Sequence, residues 1–276
     1  MADITVADIK RVREITGAGM SDVKAALVAA GGDQQVAVDE LRKKGAAKAI
    51  KRGAERTASN GIVAAAEGAL IELACETDFV AKSEQVQQLA GEIAAHAAKA
   101  GVGDRDRLLA ETLADGRTVA TAIEHLAAAM GEKMELRRSV FYAGPVATYL
   151  HRRSSDLPPQ IGVLVEFEGT GDEAAEAARG AAMQIASLRA QYVERDQVPA
   201  DVLDHERTVA AEIAKQEGKP EAALDKIVEG RVQGFLKEVV LYEQASVRDS
   251  KKTVRALLEA AGVRVTAFTR FEVGEA

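Results

Sequence analysis

Apolar positions along this chain recur at two periods, and the changes between them mark its organisation. Through residue 45 the period is helical. Val6, Ile9 and Val12 form a stripe behind Thr5 and Asp8, whose spacing is that of a capping box. Gly17-Ala18-Gly19 stops this helix. Ser21 is placed to cap a second, carrying Val23, Leu27 and Val28, and Gly31-Gly32-Asp33 turns the chain into a third, with Val36, Val38 and Leu41 before Gly45. So small a bundle is marginal alone, so docking is its expected task.

From Gly61 the pattern changes to strands. Gly61-Ile-Val-Ala-Ala-Ala and Ala69-Leu-Ile-Glu-Leu-Ala-Cys75 flank Glu67-Gly68, which predicts a β-hairpin. Val86, Leu89, Ile93 and Ala97 then predict a helix over 78–99. Helices over 106–113 and 118–131 precede strands at 134–143 and 146–151. The arrangement recurs with a strand at 161–167, a turn at 168–172 and a helix at 173–192, so hairpin followed by helix occurs twice. Two amphipathic stretches, 202–217 and 221–242, flank the breaker Gly218-Lys219-Pro220. Leu203, Val209 and Ile213 could face Leu224, Ile227, Val228, Val232 and Phe235. That predicts an antiparallel helical hairpin, either a protruding arm or a cover on the core. Alternation over 263–273 gives a last strand. The expected fold is α+β: a three-helix module (1–45), a linker (46–60), and two related core halves with antiparallel sheets (61–144 and 145–276), the second carrying the hairpin (202–242) as an insertion.

Length and composition agree with that division. At 276 residues the chain exceeds the roughly 100–200 residues of one ordinary domain. Its net charge of −7 disfavours wholesale nucleic-acid binding, which needs a concentrated basic surface. One stretch runs the other way. Arg42, Lys43, Lys44, Lys48, Lys51, Arg52 and Arg56 face only Glu55, which reads as a solvated tether or as an RNA or ribosome contact without interleaved aromatics. The single cysteine, Cys75, excludes an intramolecular disulfide and suits a reducing compartment. The start lacks the apolar core of a signal peptide, and no later run approaches the ~18 apolar residues of a membrane span. A cytoplasmic protein is expected.

Catalytic groupings are missing. His96, His125, His151 and His205 are scattered and lack metal-ligand spacing; there is no phosphate loop and no nucleophile elbow. Gly169-Thr-Gly171-Asp-Glu-Ala174, with Glu194 beyond it, matches a dinucleotide fingerprint in form. Its charge is wrong for a pyrophosphate, because Glu168, Asp172 and Glu173 crowd the helix start. No covalent chemistry, cofactor or metal is therefore expected.

What remains is Cys75-Glu76-Thr77-Asp78-Phe79-Val80-Ala81-Lys82, where a strand gives way to a helix. Aromatics are 4% of the chain, yet Phe79 sits where that helix opens onto solvent. One reading is structural: Asp78 caps, and Phe79 or Val80 staples the first turn onto the stripe led by Val86. The other is a contact surface.

Thr77-Asp78-Phe79-Val80-Ala81-Lys82 after a strand-ending cysteine resembles the signature of the elongation factor Ts family, the guanine nucleotide exchange factors of elongation factor Tu. The likeness spans the chain. Thr16-Gly17-Ala18-Gly19-Met20, Gly31-Gly32-Asp33 and Leu41-Arg42-Lys43-Lys44-Gly45 resemble the family's ubiquitin-associated-like module. Ile161-Gly162-Val163-Leu164-Val165, Glu229-Gly230-Arg231 and Phe271-Glu272-Val273-Gly274-Glu275 match further landmarks. The resemblance implies that Thr77, Asp78, Phe79 and Val80 act at the partner's magnesium site, with Phe79 as a wedge between two helices. It also implies docking through Val12 and Met20 and a contact at His151. Ala245-Ser-Val-Arg-Asp249 corresponds to another contact, through Val247 and Arg248, but departs from the family's Pro-Phe-Val-Met pattern. The implied partner is elongation factor Tu, GDP-bound or nucleotide-free, and the hairpin could support a homodimer. With the last strand so near Ala276, the extra C-terminal helical module of some relatives is expected to be missing.

Overall fold

The computed structural model describes residues 4–16, 18–53 and 57–275. The chain forms two compact units, one from Met1–Phe141, Arg152–Gln160 and Phe271–Ala276, the other from Tyr142–His151 and Ile161–Arg270.

The first unit opens with α1 (Val6–Thr16), α2 (Met20–Ala29) and α3 (Gln34–Gly53). Thr5 and Asp8 form the expected reciprocal cap: the Thr5 amide donates to Asp8 Oδ2 at 3.0 Å, and the Asp8 amide donates to Thr5 Oγ1 at 3.2 Å. Val12, Val23, Leu27, Val38 and Leu41 make the shared core. Val6, Val28 and Val36 do not join it and are exposed, so the apolar stripes are narrower than their pattern. Gly19, not Ser21, is the N-cap of α2, with no side-chain cap; Gly17 lies outside the described residues. Nor does α3 end at Gly45. Ala46, Ala47, Lys48 and Ala49 favour helix strongly enough to carry it past one glycine to Gly53.

A three-stranded sheet follows in the order β1 (Asn60–Ala66), β2 (Ala69–Cys75), β3 (Met134–Phe141), all antiparallel. Glu67 and Gly68 both have positive φ, 22° and 91°, which makes the two-residue turn that matches strand twist. The predicted helix over 78–99 is two helices, α4 (Asp78–Ala81) and α5 (Glu84–Ala100), because Ser83 Oγ accepts from the Val86 amide and starts a new N-terminus. Val86, Leu89, Ile93 and Ala97 of α5 pack with Ile62, Ile71 and Leu73 of the sheet. α6 (Arg105–Ala110) and α7 (Val119–Met130) complete this core, and Leu41 of α3 and Ile15 of α1 share a small cavity with Ala128 and Ala129 of α7.

β2 is buried along its length, including Glu72. A bulge accommodates that charge. Glu72 pairs with Arg138 and Leu73 with Leu136, leaving Arg137 as the extra residue. Adjacent residues on a regular strand point to opposite faces. Here both guanidinia reach Glu72, Arg138 Nε at 2.6 Å and Arg137 Nη1 at 3.5 Å.

The second unit repeats the theme. β4 (Val146–His151) and β5 (Ile161–Glu168) pair antiparallel, β6 (Arg264–Glu272) completes the order β4-β5-β6, and α8 (Gly171–Leu188) packs on the sheet. α9 (Ala200–Gln216) and α10 (Leu224–Val239) pack on each other across the predicted breaker. Val202 and Leu203 of α9 join one apolar cluster with Val228, Val232 and Phe235 of α10, while Ala210 and Ala214 are buried and Ile213 is exposed. A short helix that the sequence pattern does not mark, α11 (Val254–Ala260), is capped by Thr253 and buries Val254 and Leu258.

Two glycines of the first unit should respond oppositely to alanine. Gly61 has φ +148°, and a Cβ there would lie 2.4 Å from the Leu73 carbonyl oxygen; Gly91 of α5 has nothing within 4 Å. In urea unfolding, Gly61→Ala is expected to cost about 2–3 kcal/mol through overpacking and backbone strain. Gly91→Ala is expected to gain about 0.5–1 kcal/mol.

Candidate functional site

The segment after β2 is held by a set of specific bonds. Cys75 Sγ donates to the Thr77 carbonyl at 3.1 Å. Thr77 is extended, with φ −123°, and its Oγ1 accepts from the Val80 amide at 3.3 Å. Thr77, not Asp78, is thus the N-cap; the hydroxyl, one residue earlier, reaches the orphan amide.

The next layer comes from the far end of α7. Gly131 ends that helix in the left-handed region, φ 72°, and turns the chain so that Glu132 faces the segment. Glu132 Oε1 accepts from Thr77 Oγ1 at 2.7 Å, and Oε2 accepts from the Thr77 amide at 3.1 Å. The neighbours answer in reverse: the Lys133 amide donates to Glu76 Oε1 at 2.8 Å. Asn60 Nδ2 donates to the Glu76 carbonyl, also at 2.8 Å. Glu76, Glu132 and Asn60 carried no signal in the sequence, since their partners lie far along the chain.

On this platform Val80 and Ala81 point into the core beside Val86, so Val80 is the staple. Phe79 points outward and is 82% exposed. An exposed phenyl forgoes roughly 1.5–3 kcal/mol that burial would provide. Asp78, also exposed, pairs with Lys82 at 3.3 Å, and Lys82 Nζ donates to Asp156 Oδ2 at 2.8 Å. That bond, with help from Ser154, holds the Asp156 carboxyl down to about 2, and Asp156 first and Asp78 second raise the Lys82 ammonium. Burial, then the nearby Glu132 carboxylate, push the Cys75 thiol up to about 12.

The other expected contact residues are dispersed. Val12 is wholly buried in the three-helix core, and Met20, in the same module, is 62% exposed. In the second unit, exposed His151 ends β4, its Nδ1 3.2 Å from Tyr149 Oη and its ring stacked with Tyr149. Val247 is 49% exposed, and its amide donates to Oε1 of buried Gln184 at 2.8 Å. Arg248 reaches Glu176 at 3.3 Å. Buried Gln184 thereby fixes the loop that presents both residues.

The alternatives gain little. Of the basic stretch 42–56, only the Lys43 and Lys44 side chains fall among the described ones, and Lys43 pairs with Glu40 at 3.2 Å. At the dinucleotide-like turn, a Cβ on Gly169 would meet Ala174 at 3.1 Å and the Gly262 carbonyl at 3.2 Å, so that glycine serves packing. β5 there belongs to an antiparallel pair, not a parallel βαβ unit. Glu194 forms the capping box of a 3-10 turn, Arg195–Gln197. Among the described residues, no group of three or more His, Cys, Asp or Glu is placed to hold a metal, and no helix is long and apolar enough to cross a membrane.

Fold and site together describe an α+β protein that presents an exposed aromatic side chain from a turn held by hydrogen bonds at Thr77. Its sequence matches the family described as Elongation factor TS over residues 76–275. Elongation factor Ts of Nocardia farcinica (strain IFM 10152) is 59% identical over 276 residues, covering all of both chains. That of Rhodococcus erythropolis (strain PR4 / NBRC 100887) is 57% identical over 274 residues, 99% of each chain. That of Mycobacterium avium (strain 104) is 57% identical over 277 residues, all of each. The chain belongs to the elongation factor Ts family, and its role lies in translation elongation.

Two titrations test the site. Asp156 has a folded pKa below the ordinary unfolded value of roughly 3.9. Its contribution to stability is thus present above that value and lost as pH falls through about 2. In an NMR titration the Asp156 carboxyl should titrate near 2 and move up toward the ordinary value in Lys82→Met. Cys75, buried and with its thiol at about 12, should resist thiol reagents at pH 8 in the native protein and react at once in denaturant.

Proposed function

We propose that this protein is a guanine nucleotide exchange factor for elongation factor Tu, acting without covalent chemistry from the cytoplasm. The observation that carries the reading is Phe79, 82% exposed on a turn whose neighbours are all tied down. Family membership supplies the partner.

Exchange by such a protein is a coupling of two binding equilibria. A partner that binds the nucleotide-free form better lowers GDP affinity by the same factor. The residues present can supply that differential contact. Phe79 offers a large, stiff, apolar surface for insertion between two helices near the magnesium site, at little entropic cost. Asp78, on the same exposed turn, brings a carboxylate toward the groups that position magnesium and its waters. Thr77 and Val80 hold the turn from beneath, one by its cap and the other by burial. With magnesium displaced, the β-phosphate loses compensation for its charge and GDP leaves.

The remaining contacts follow from exposure and family position. The three-helix cluster is read as ubiquitin-associated-like and docks through the region of Val12 and Met20, Met20 offering the exposed side chain and Val12 the core beneath it. His151, Val247 and Arg248 form further contacts, and α9 with α10 is read as the antiparallel hairpin, a candidate surface for a homodimer.

Release of fluorescent GDP from elongation factor Tu tests the mechanism. Phe79→Ala should keep the wild-type unfolding midpoint, because the ring is in water, and should lower the rate of GDP release by about 10-fold or more, as for an interface anchor. A fully active variant would overturn the wedge, and an unfolded one would return Phe79 to a structural role.

A further inference from the structure

We infer that Glu132 is a positioning residue for exchange: it never touches the partner, but fixes the turn that carries Phe79. The inference rests on the exchange reading of Phe79 and goes beyond it by naming what makes the wedge stiff.

The argument is geometric. A four-residue helix such as α4 (Asp78–Ala81) is far too short to hold itself together in water. Its first turn leaves amides unsatisfied, and Thr77 Oγ1 satisfies only that of Val80. The Thr77 hydroxyl can do so in a fixed direction because its own proton is engaged by Glu132 Oε1 at 2.7 Å, while Glu132 Oε2 takes the Thr77 amide at 3.1 Å. One carboxylate therefore sets both the backbone and the rotamer of the capping residue. Charge-assisted bonds of this kind are stronger than neutral ones. Glu132 is held in turn by the left-handed turn at Gly131 and by the Lys133 amide bonded to Glu76 Oε1 at 2.8 Å. The chain thus joins the end of α7 to the start of α4 by bonds running in both directions, two residues before an aromatic ring that has no comparable anchor of its own.

Without Glu132 the turn samples other conformations in the free protein, and the ordering cost is met when the partner binds. The partner surface stays intact, so the loss should appear in exchange efficiency rather than in folding alone.

The test measures fluorescent GDP release from elongation factor Tu by the full-length chain. Glu132→Ala is expected to lower kcat/KM about 10-fold. Glu132→Gln can accept from the Thr77 amide and donate to its hydroxyl, and should recover to within about 3-fold of wild type. Glu132→Ala added to Phe79→Ala should cause little further loss, since the platform then carries no wedge. A general loss of stability would instead reduce both backgrounds alike. Should Glu132→Ala fail to fold, Thr77→Val, which removes the same hydroxyl link, carries the same expectation. If Phe79→Ala slows release while Glu132→Ala and Thr77→Val act as wild type, the positioning role is wrong and the wedge stands. If Phe79→Ala itself has no effect, the exchange reading falls and the positioning role falls with it.

Discussion

Complete burial of β2 is the constraint on which the first unit depends. A strand with no solvent-facing side has to satisfy every polar group it carries, and β2 carries one charge, Glu72. Removing one member of such a buried ionic group leaves an uncompensated charge. The bulge on β3 meets that demand by turning two consecutive arginines toward one carboxylate. Arg138 also donates to the Glu272 carbonyl at 2.8 Å and stacks over Phe271, so residues from the end of the chain are tied to the same point. The strand leaves this fixed frame at Cys75, and the site begins two residues later.

That placement explains how a surface turn can be stiff. Loops usually trade order for reach, but this one starts from a buried strand and is tied to α7 by the Glu132 and Glu76 bonds. Lys82, through Asp156, secures its far side. The turn that carries Phe79 is thus tied down on both sides while its ring is exposed. In the proposed mechanism this matters because no bond is made or broken; the factor works only through the difference between its contacts with two forms of its partner. Stiffness turns binding into force on the partner's site rather than rearrangement of its own.

Much of this fold was legible in the pattern of apolar residues. The hairpin Asn60–Ala66 with Ala69–Cys75, the strand Ile161–Glu168 and the stripe Val86, Leu89, Ile93 and Ala97 each repeat long enough to fix their type. Short or compensated elements were not. α11 offers only Val254 and Leu258 to its core, too few for a period. At α4 both Thr77 and Asp78 are good caps, and only three dimensions decide between them. Glu132 meets Thr77 across 55 positions of sequence, with no local mark at either end. On α9, Ala210 and Ala214 are buried while Ile213 is exposed, and residues so small add little to an apolar pattern. The contact role proposed for the segment rests on its family signature, since periodicity alone favoured Phe79 as a helix staple.

The most direct test of the central claim is stopped-flow release of fluorescent GDP from elongation factor Tu over a range of concentrations of this chain at fixed magnesium. Exchange through the Phe79 segment calls for release that accelerates with concentration and then saturates, with the acceleration shrinking when magnesium is chelated beforehand. Release that stays at the intrinsic rate at every concentration would contradict the account.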